Sequence, residues 1–258
     1  MEPILFEIKE GVAKITLNNP NKYNAFYREM ALLLQDFLIE CQENAAIKAV
    51  YITGMGKAFS AGQDLAEAID PNGPELTKIV SEHFNQIIHL IRNLKKPVVA
   101  AVNGVAAGAG ANIALACDIV VATKSASFIQ AFSKIGLIPD SGGTYFLPRI
   151  IGFQKASALM MLGDKIGAED AEKFGMIYKV FDDDIFKAES FKIADKLALM
   201  PTYGLWLTKK ALNETYQNNL DQQLKLEDEL QTLAGNSYDY SEGVNAFLEK
   251  RKPVFKGK

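Results

Sequence analysis

The sequence predicts an α/β fold built around one large core. Apolar runs of strand length alternate with segments whose apolar residues recur at helical spacing, which is typical of this class. The chain has 258 residues, of which 48% are hydrophobic and 23% charged. A chain of this length and composition can bury a sizeable core without a metal or disulfides. Beyond about residue 168 the pattern turns helical, so a helical region is expected to follow the α/β part.

The first 55 residues predict three strands and a helix. Residues 4–8 and 12–17 have the apolar pattern of two strands separated by Gly11. Residues 28–41 carry apolar side chains at helical spacing, and residues 49–53 form a short apolar run that suits a buried strand.

The next segments predict a loop, a long helix and the centre of a sheet. Residues 57–65 are interpreted as a loop that leads into helical sequence, and residues 70–74 as an exposed loop. Residues 76–94 have a helical pattern that Pro97 ends. The later segments alternate between buried strands at 97–102 and 119–122 and helices at 113–117, 186–199, 205–217 and 220–233.

Composition and charge exclude several classes of protein. The net charge of −3 offers no basic excess for nucleic acid. Two cysteines, Cys41 and Cys117, lie in apolar segments and are expected to be small buried residues rather than a disulfide framework. The N-terminus lacks the pattern of a signal peptide and no apolar run has the length of a membrane span, so we expect a cytoplasmic protein.

Three glycine-rich segments are candidates for chemistry, at residues 58–65, 103–111 and 136–144. Glycine lets a backbone approach a ligand closely. Segment 103–111 follows a predicted strand and opens a helix, so its N–H groups could stabilise a developing negative charge. Close packing of small residues explains the same pattern equally well. The segment lacks the complete spacing of a dinucleotide-binding loop.

Side chains that could act as bases or nucleophiles are few in these segments. Residues 58–62 approach the G-x-S-x-G nucleophile motif, but a triad also needs a histidine. His83 and His89 are six positions apart on one predicted helix, so they do not share a face, and we expect surface or groove positions and no metal site. Asp140, in a loop between apolar segments, is either a partly buried base or part of a turn.

Together these segments make a specific signature. The chain resembles the enoyl-CoA hydratase/isomerase (crotonase) superfamily along essentially its whole length. The segments that carry the resemblance are 59–65, 96–104, 107–110, 117–120, 136–140, 142–144 and 147–149.

The resemblance implies an α/β crotonase (ClpP-like) fold of repeated ββα units with a C-terminal helical trimerisation region. We therefore expect residues 1–199 to form the core and residues 200–258 the helical region. The family organisation also implies a homotrimer or a dimer of trimers.

The resemblance also implies an acyl-CoA thioester as the substrate, with coenzyme A as part of it and no separate cofactor. The backbone N–H groups at Gln63 and Ala109 match the family's oxyanion hole, which binds the thioester oxygen. Ala61 matches the position where the family backbone meets the adenine. The other residues that match substrate-binding positions are Gly62, Asp64, Leu65, Gly110, Phe132, Phe247 and Lys250, the last two toward a neighbouring subunit's coenzyme A.

The residues at the hydratase positions predict isomerisation rather than hydration. Hydratases of the family use two glutamates to activate water, and here Asn112 and Phe132 occupy those positions. Neither side chain can act as a general base. Asp140 is the one carboxylate in the catalytic neighbourhood, and a single base that takes and returns a proton suits the movement of a double bond.

Further segments resemble the isomerases of bacterial phenylacetate degradation. This resemblance implies conversion of 1,2-epoxyphenylacetyl-CoA to oxepin-CoA, isomerisation of 3-enoyl-CoA to 2-enoyl-CoA, and a complex with a hydratase of the same pathway. It is carried by residues 105–111, 131–140, 175–177, 201–205, 233–237 and 240–244.

The sequence leaves three alternatives open. A fatty-acid Δ3,Δ2-enoyl-CoA isomerase would use the same chemistry. An aroyl-CoA dehalogenase would use Asp140 as a nucleophile with help from His89, although Phe132 replaces the tryptophan of that subgroup. A non-catalytic scaffold is the third, since both hydratase glutamates are absent.

Overall fold

The computed structural model describes residues 2–258, and two β-sheets form its centre. The larger sheet has six strands in the order β1-β2-β3-β5-β7-β10, and the smaller has four in the order β4-β6-β8-β9. The strands are β1 (Ile4–Lys9), β2 (Val12–Leu17), β3 (Ala49–Gly54), β4 (Ala58–Ser60), β5 (Val98–Val102), β6 (Val105–Ala107), β7 (Ile119–Thr123), β8 (Ser127–Ile129), β9 (Lys165–Gly167) and β10 (Lys179–Phe181).

A repeated ββα unit explains this arrangement and confirms the predicted fold. The pairs β3–β4, β5–β6 and β7–β8 each place their first strand in the large sheet and their second strand in the small sheet. Helical sequence follows each pair. The ladders are parallel except for β1 with β2 and β8 with β9. The carboxyl ends of the central strands therefore point the same way and bring their loops together.

Helices cover both faces of the large sheet and form the C-terminal end of the chain. Segment Ile79–Phe84 is a π-helix that continues into α4, and Ala131–Ile135 is a short 3-10 helix. The α-helices are α1 (Arg28–Glu43), α2 (Leu65–Ala68), α3 (Leu76–Lys78), α4 (Asn85–Asn93), α5 (Ala109–Ala116), α6 (Gly143–Ile151), α7 (Phe153–Leu162), α8 (Ala168–Lys173), α9 (Phe186–Ala198), α10 (Thr202–Glu214), α11 (Leu220–Gly235) and α12 (Tyr238–Leu248).

The alternation along β5 sorts its side chains between two cores. Val98 and Ala100 belong to the main core, together with buried residues of α1, α4 and α5. Val99 and Ala101 face the opposite side, where α9 packs through residues such as Ala194. Both faces of this strand are buried, which is why its sequence is an unbroken apolar run rather than an alternating one.

Several predicted elements differ in extent from the structure; helix 205–217, for example, is Thr202–Glu214. Three larger differences lie before residue 118. Within the predicted loop 57–65, Ala58–Ser60 is a strand that pairs with β6. The predicted helix 76–94 is not uniformly α-helical, because a π segment interrupts it. The predicted helix 113–117 is part of a helix that begins at Ala109, within the small-residue segment that was expected to open it, and ends at Ala116.

The C-terminal helices follow a turn after α9. The expected boundary between residues 199 and 200 falls in this turn, between α9 and α10. Lys209 of α10 reaches back into the core and binds Asp118 at 2.8 Å. Among residues 2–258, no helix is both long enough and apolar enough to cross a membrane.

Candidate active site

The backbone N–H of Gln63 lies in the turn that follows β4. Gly62 has φ of +87°, a conformation that glycine adopts without strain. The backbone N–H of Phe26 donates to the carbonyl of Gly62, and the carbonyl of Phe26 accepts from the N–H of Asp64, each at 2.7 Å. In this bridge pattern the N–H of Gln63 faces away from Phe26, and it has no acceptor within residues 2–258.

The backbone N–H of Ala109 is the first of helix α5. The chain leaves β6 and turns at Gly108, which has φ of +52° and whose N–H bonds the carbonyl of Ile129 at 2.9 Å. The first N–H groups of a helix have no acceptor within the helix itself. That of Ala109 finds none elsewhere in the described chain, so it is free to bind an oxygen in front of the helix.

The packing of glycines brings these two donors side by side. A Cβ atom on Gly62 would lie 3.2 Å from the nitrogen of Ala109 and 2.9 Å from the carbonyl oxygen of Ala107. A Cβ atom on Gly110 would lie 2.5 Å from the carbonyl oxygen of Ser60. The turn after β4 therefore touches the start of α5 directly, and each of these two segments carries one backbone N–H without an acceptor in the described chain.

Asp140 lies half-buried in the loop before α6. Burial raises the pKa of its carboxyl above the ordinary value, and a hydrogen bond from Ser141 lowers it. The hydroxyl Oγ of Ser141 donates to Oδ1 of Asp140 at 2.8 Å. Ser141 is itself buried and has φ of +52°, an uncommon conformation for a residue with a side chain. The carboxyl is thus held in place and partly desolvated, which are properties that suit a general base.

The loop that carries Asp140 is bound to the helix that carries Ala109. The side-chain amide of Asn112 donates to the backbone carbonyl of Asp140 at 2.9 Å. The N–H of Gly143 donates to the same carbonyl at 2.8 Å. Base and candidate oxyanion donors therefore belong to one connected site.

The side chain of Gln63 begins a polar network behind the donors. Its Nε2 donates to Glu67 at 2.9 Å, and the backbone N–H of Arg28 donates to both oxygens of the same carboxylate. The guanidinium of Arg28 lies 2.9 Å from Nε2 of His83. Because an arginine can only donate, this nitrogen of His83 is the acceptor.

The predicted positions of the two histidines are right for His89 and wrong for His83. His89 is exposed on α4. His83 is fully buried on the π segment, because the core side of that helix faces α1. Burial and the nearby Arg28 charge lower the pKa of His83 below its ordinary value, which favours the neutral form whose Nε2 accepts from Arg28.

Four more of the predicted binding residues lie near the two candidate donors. Ala61 and Leu65 are exposed beside the turn, and Asp64 caps α2 and pairs with Lys22 at 2.6 Å. Phe132 is buried, with its ring 3.7 Å from where a Cβ of Gly108 would stand. The ring therefore lies against the turn that leads to Ala109.

Phe247 and Lys250 lie apart from this cluster. Phe247 is 82% exposed on α12, and Lys250 lies in the turn that follows the helix. In the part of the chain described here, no hydrogen bond links either side chain to the turn after β4 or to the Asp140 loop.

The two cysteines add no reactive nucleophile to the site. Cys41 and Cys117 are both buried, as predicted, and burial raises the pKa of each thiol to about 12. Residues 2–258 contain no group of three or more His, Cys, Asp or Glu side chains placed to hold a metal ion.

Sequence reasoning missed Ser141 and Glu67 as parts of the site. Ser141 directly follows Asp140, and this adjacency in the sequence could have identified it as part of the site. The contacts of Glu67 depend on its packing against α1, which no local pattern reveals.

Known proteins resemble the chain in sequence and in fold along essentially its whole length. Residues 7–258 match the family model for enoyl-CoA hydratase/isomerase. The chain is 47% identical to the 1,2-epoxyphenylacetyl-CoA isomerase of Escherichia coli (strain K12), covering 100% of both chains. It is 36% identical to the trans-2-decenoyl-[acyl-carrier-protein] isomerase of Streptococcus mutans, covering 99% and 98%. The crystal structure of an enoyl-CoA hydratase from Bacillus anthracis superposes with a TM-score of 0.92 at 32% identity, covering 100% of both chains.

Proposed function

The chain belongs to the enoyl-CoA hydratase/isomerase family, and from this premise we propose that it is an acyl-CoA isomerase with Asp140 as its single base. The proposed reactions are conversion of 1,2-epoxyphenylacetyl-CoA to oxepin-CoA and of 3-enoyl-CoA to 2-enoyl-CoA. The observation that carries the proposal is the pairing of two free, adjacent N–H donors with one partly buried carboxyl on a loop bound to the same helix.

The proposed mechanism starts at the thioester oxygen. The N–H groups of Gln63 and Ala109 bind this oxygen and stabilise the negative charge that forms when the α-proton leaves. Each such donor contributes about 3 to 4 kcal/mol to the transition state in comparable sites. Asp140 takes the α-proton, and burial strengthens it as a base by raising its pKa.

The second half of the reaction returns the same proton. In a 3-enoyl-CoA, the electron pair of the enolate shifts the double bond into conjugation, and Asp140 delivers the proton to the γ-carbon. In the ring epoxide, the bond shared by the epoxide and the six-membered ring breaks to give the seven-membered oxepin, and the proton returns to the ring. Both reactions conserve all atoms and need no cofactor.

Other residues are assigned to substrate binding in this proposal. Phe132 forms an apolar wall beside the oxyanion donors, which suits an aromatic-derived ring. The residues assigned to the coenzyme A moiety and the acyl chain near the turn are Ala61, Gly62, Asp64, Leu65 and Gly110. This assignment is supported by the packing of the turn after β4 against the start of α5.

The proposal extends to assembly and location. We assign Phe247 and Lys250 to the coenzyme A of a neighbouring subunit in a homotrimer or a dimer of trimers. The exposed aromatic ring of Phe247 and its distance along the chain from the donors support this assignment. A cytoplasmic location and a complex with a hydratase of the same pathway belong to the same proposal.

The contacts of Asp140 favour the isomerase over the dehalogenase alternative. A dehalogenase would need a histidine that assists Asp140, and the described hydrogen bond of this carboxyl comes from Ser141, while His89 is exposed on α4. On the same helix, Ile87 and Ile91 are the buried residues.

The test is a spectroscopic assay on the purified protein. A 3-enoyl-CoA is supplied, and the absorbance of the conjugated 2-enoyl thioester is followed for the wild type, for Asp140→Asn and for Asp221→Asn, a control on an exposed position of α11. We expect turnover by the wild type and the control and none by Asp140→Asn. Turnover by Asp140→Asn would refute Asp140 as the base, and an inactive wild type would refute the 3-enoyl-CoA reaction.

A further inference from the structure

Asn112 is a fully buried side chain whose two polar groups are both in use. Its Nδ2 donates to the backbone carbonyl of Asp140 at 2.9 Å, and its Oδ1 accepts from Nε2 of Gln130 at 2.7 Å. It lies three residues after Ala109 on α5, within one turn of the same helix. One side chain thus spans from the helix of the oxyanion donor to the loop of the base.

The first residue of α6 packs closely against this amide. A Cβ atom on Gly143 would lie 2.4 Å from Nδ2 of Asn112, so a larger residue there would displace the amide. The N–H of Gly143 donates to the same carbonyl of Asp140 that Asn112 binds. The backbone carbonyl of Asp140 therefore accepts two hydrogen bonds, one from the Asn112 side chain on α5 and one from the first residue of α6.

A carboxylate at position 112 would break this arrangement. It could accept from Gln130, but it would place a negative oxygen beside the carbonyl oxygen of Asp140, and two acceptors in contact repel. The amide is required because it accepts on one side and donates on the other.

We infer that Asn112 is a positioning residue, which fixes the distance between the Asp140 base and the N–H donor of Ala109. This inference rests on the proposed isomerase function. Asn112 contacts the backbone of Asp140 and not its carboxyl, so it sets the position of the base, whereas Ser141 donates a hydrogen bond to the carboxyl itself. A misplacement of about 1 Å at a reacting group can cost about a hundredfold in rate.

The test compares Asn112→Ala with the wild type in the 3-enoyl-CoA assay at several pH values. We expect kcat to fall by about a hundredfold, with KM and the pH of the acid limb nearly unchanged. The matched control is Asn213→Ala on α10, which removes an amide that donates to the carbonyl of Arg92 at 3.0 Å. The control is expected to lower the melting temperature while leaving kcat as in the wild type.

A second variant covers the case in which Asn112→Ala fails to fold. Gly143→Ala displaces the amide from the opposite side, and the same selective loss of kcat is expected. Binding of an unreactive acyl-CoA thioether, measured by calorimetry, should persist in both variants. Wild-type kcat in a folded variant, or a loss that appears wholly in KM, would overturn the inference. An inactive wild type would instead contradict the proposed function, and the positioning role with it.

Discussion

At the scale of single residues, two opposing effects act on the pKa of the Asp140 carboxyl. Burial raises the pKa of its carboxyl, and the hydrogen bond from Ser141 lowers it. A base must be deprotonated to act, so its activity is lost as the pH falls through its pKa. The hydroxyl of Ser141 therefore extends the active range toward acid pH at some cost in basicity.

This balance gives a prediction for Ser141→Ala. Without the donated hydrogen bond the charged carboxylate loses stabilisation, so the pKa of Asp140 rises and the acid limb of kcat/KM moves to higher pH. The measurement is the pH profile of kcat/KM with a 3-enoyl-CoA. Ser141→Gly serves as the companion variant, because it also lacks the hydroxyl but tolerates the positive φ. An acid limb that stays in place in both variants would show that the hydroxyl does not tune the base.

At the scale of elements, the site is a contact between two turns. The turn after β4 and the turn that opens α5 approach so closely that Gly62 has no space for a side chain. The two strands that feed these turns, β4 and β6, are parallel neighbours in the small sheet. Because both strands leave the sheet at the same edge, the two segments that carry the free N–H groups pack against each other.

Gly62→Ala tests this contact. The new Cβ would lie 2.9 Å from the carbonyl oxygen of Ala107, so the turns must separate and the two donors with them. We expect kcat to fall by about a hundredfold or more, the effect of losing one oxyanion donor, when turnover of a 3-enoyl-CoA is measured.

Gly152→Ala is the matched control for that variant. Gly152 has a similar φ of +82°, but no atom stands within 4 Å of the point where its Cβ would lie. Both variants place an alanine at a positive φ, and at Gly152, where ψ is 158°, the backbone lies in a region that essentially only glycine adopts. The stability of Gly152→Ala should therefore fall by about 1 to 3 kcal/mol while its activity is kept. Equal activity in the two variants would contradict the role of the contact.

The sequence was sufficient for the order of the main elements and for the resemblance that points to Gln63, Ala109 and Asp140. The buried run at β5 and the helical spacing in α1 are local signals of periodicity. The short strand β4 was not predicted, because three residues are too few to show the alternation of a strand.

The burial of His83 was not predicted, for a different reason. It depends on how α1 packs over the π segment, which is a tertiary contact rather than a local preference. For the same reason the role of Ser141 needed a structure, since its positive φ and its bond to Asp140 arise from the packed loop.

At the scale of the whole molecule, a buried lysine ties the C-terminal helices to the core. The ammonium of Lys209 on α10 binds Asp118 at 2.8 Å and donates to the carbonyl of Ile91 at 2.7 Å. Asp118 in turn accepts from the N–H of Val98, at the start of β5. The position of α10 is therefore fixed to the central strand of the large sheet.

Lys209→Met is expected to destabilise the protein by about 3 kcal/mol, because it leaves a partly buried carboxylate short of its closest cation. The measurement is the free energy of unfolding in denaturant. Lys210→Met, at the exposed neighbouring position, is the matched control and should have little effect. A loss of stability of the same size in both variants would show that the contact of Lys209 with Asp118 does not anchor the helices.

The central claim is that Asp140 removes the α-proton of an acyl-CoA whose thioester oxygen is held by Gln63 and Ala109. The most direct measurement is the exchange of α-protons of phenylacetyl-CoA for deuterium in D₂O, followed by mass spectrometry, with binding measured in parallel. We expect exchange by the wild type and none by Asp140→Asn, although the variant still binds the thioester. Exchange by Asp140→Asn at the rate of the wild type would contradict the claim.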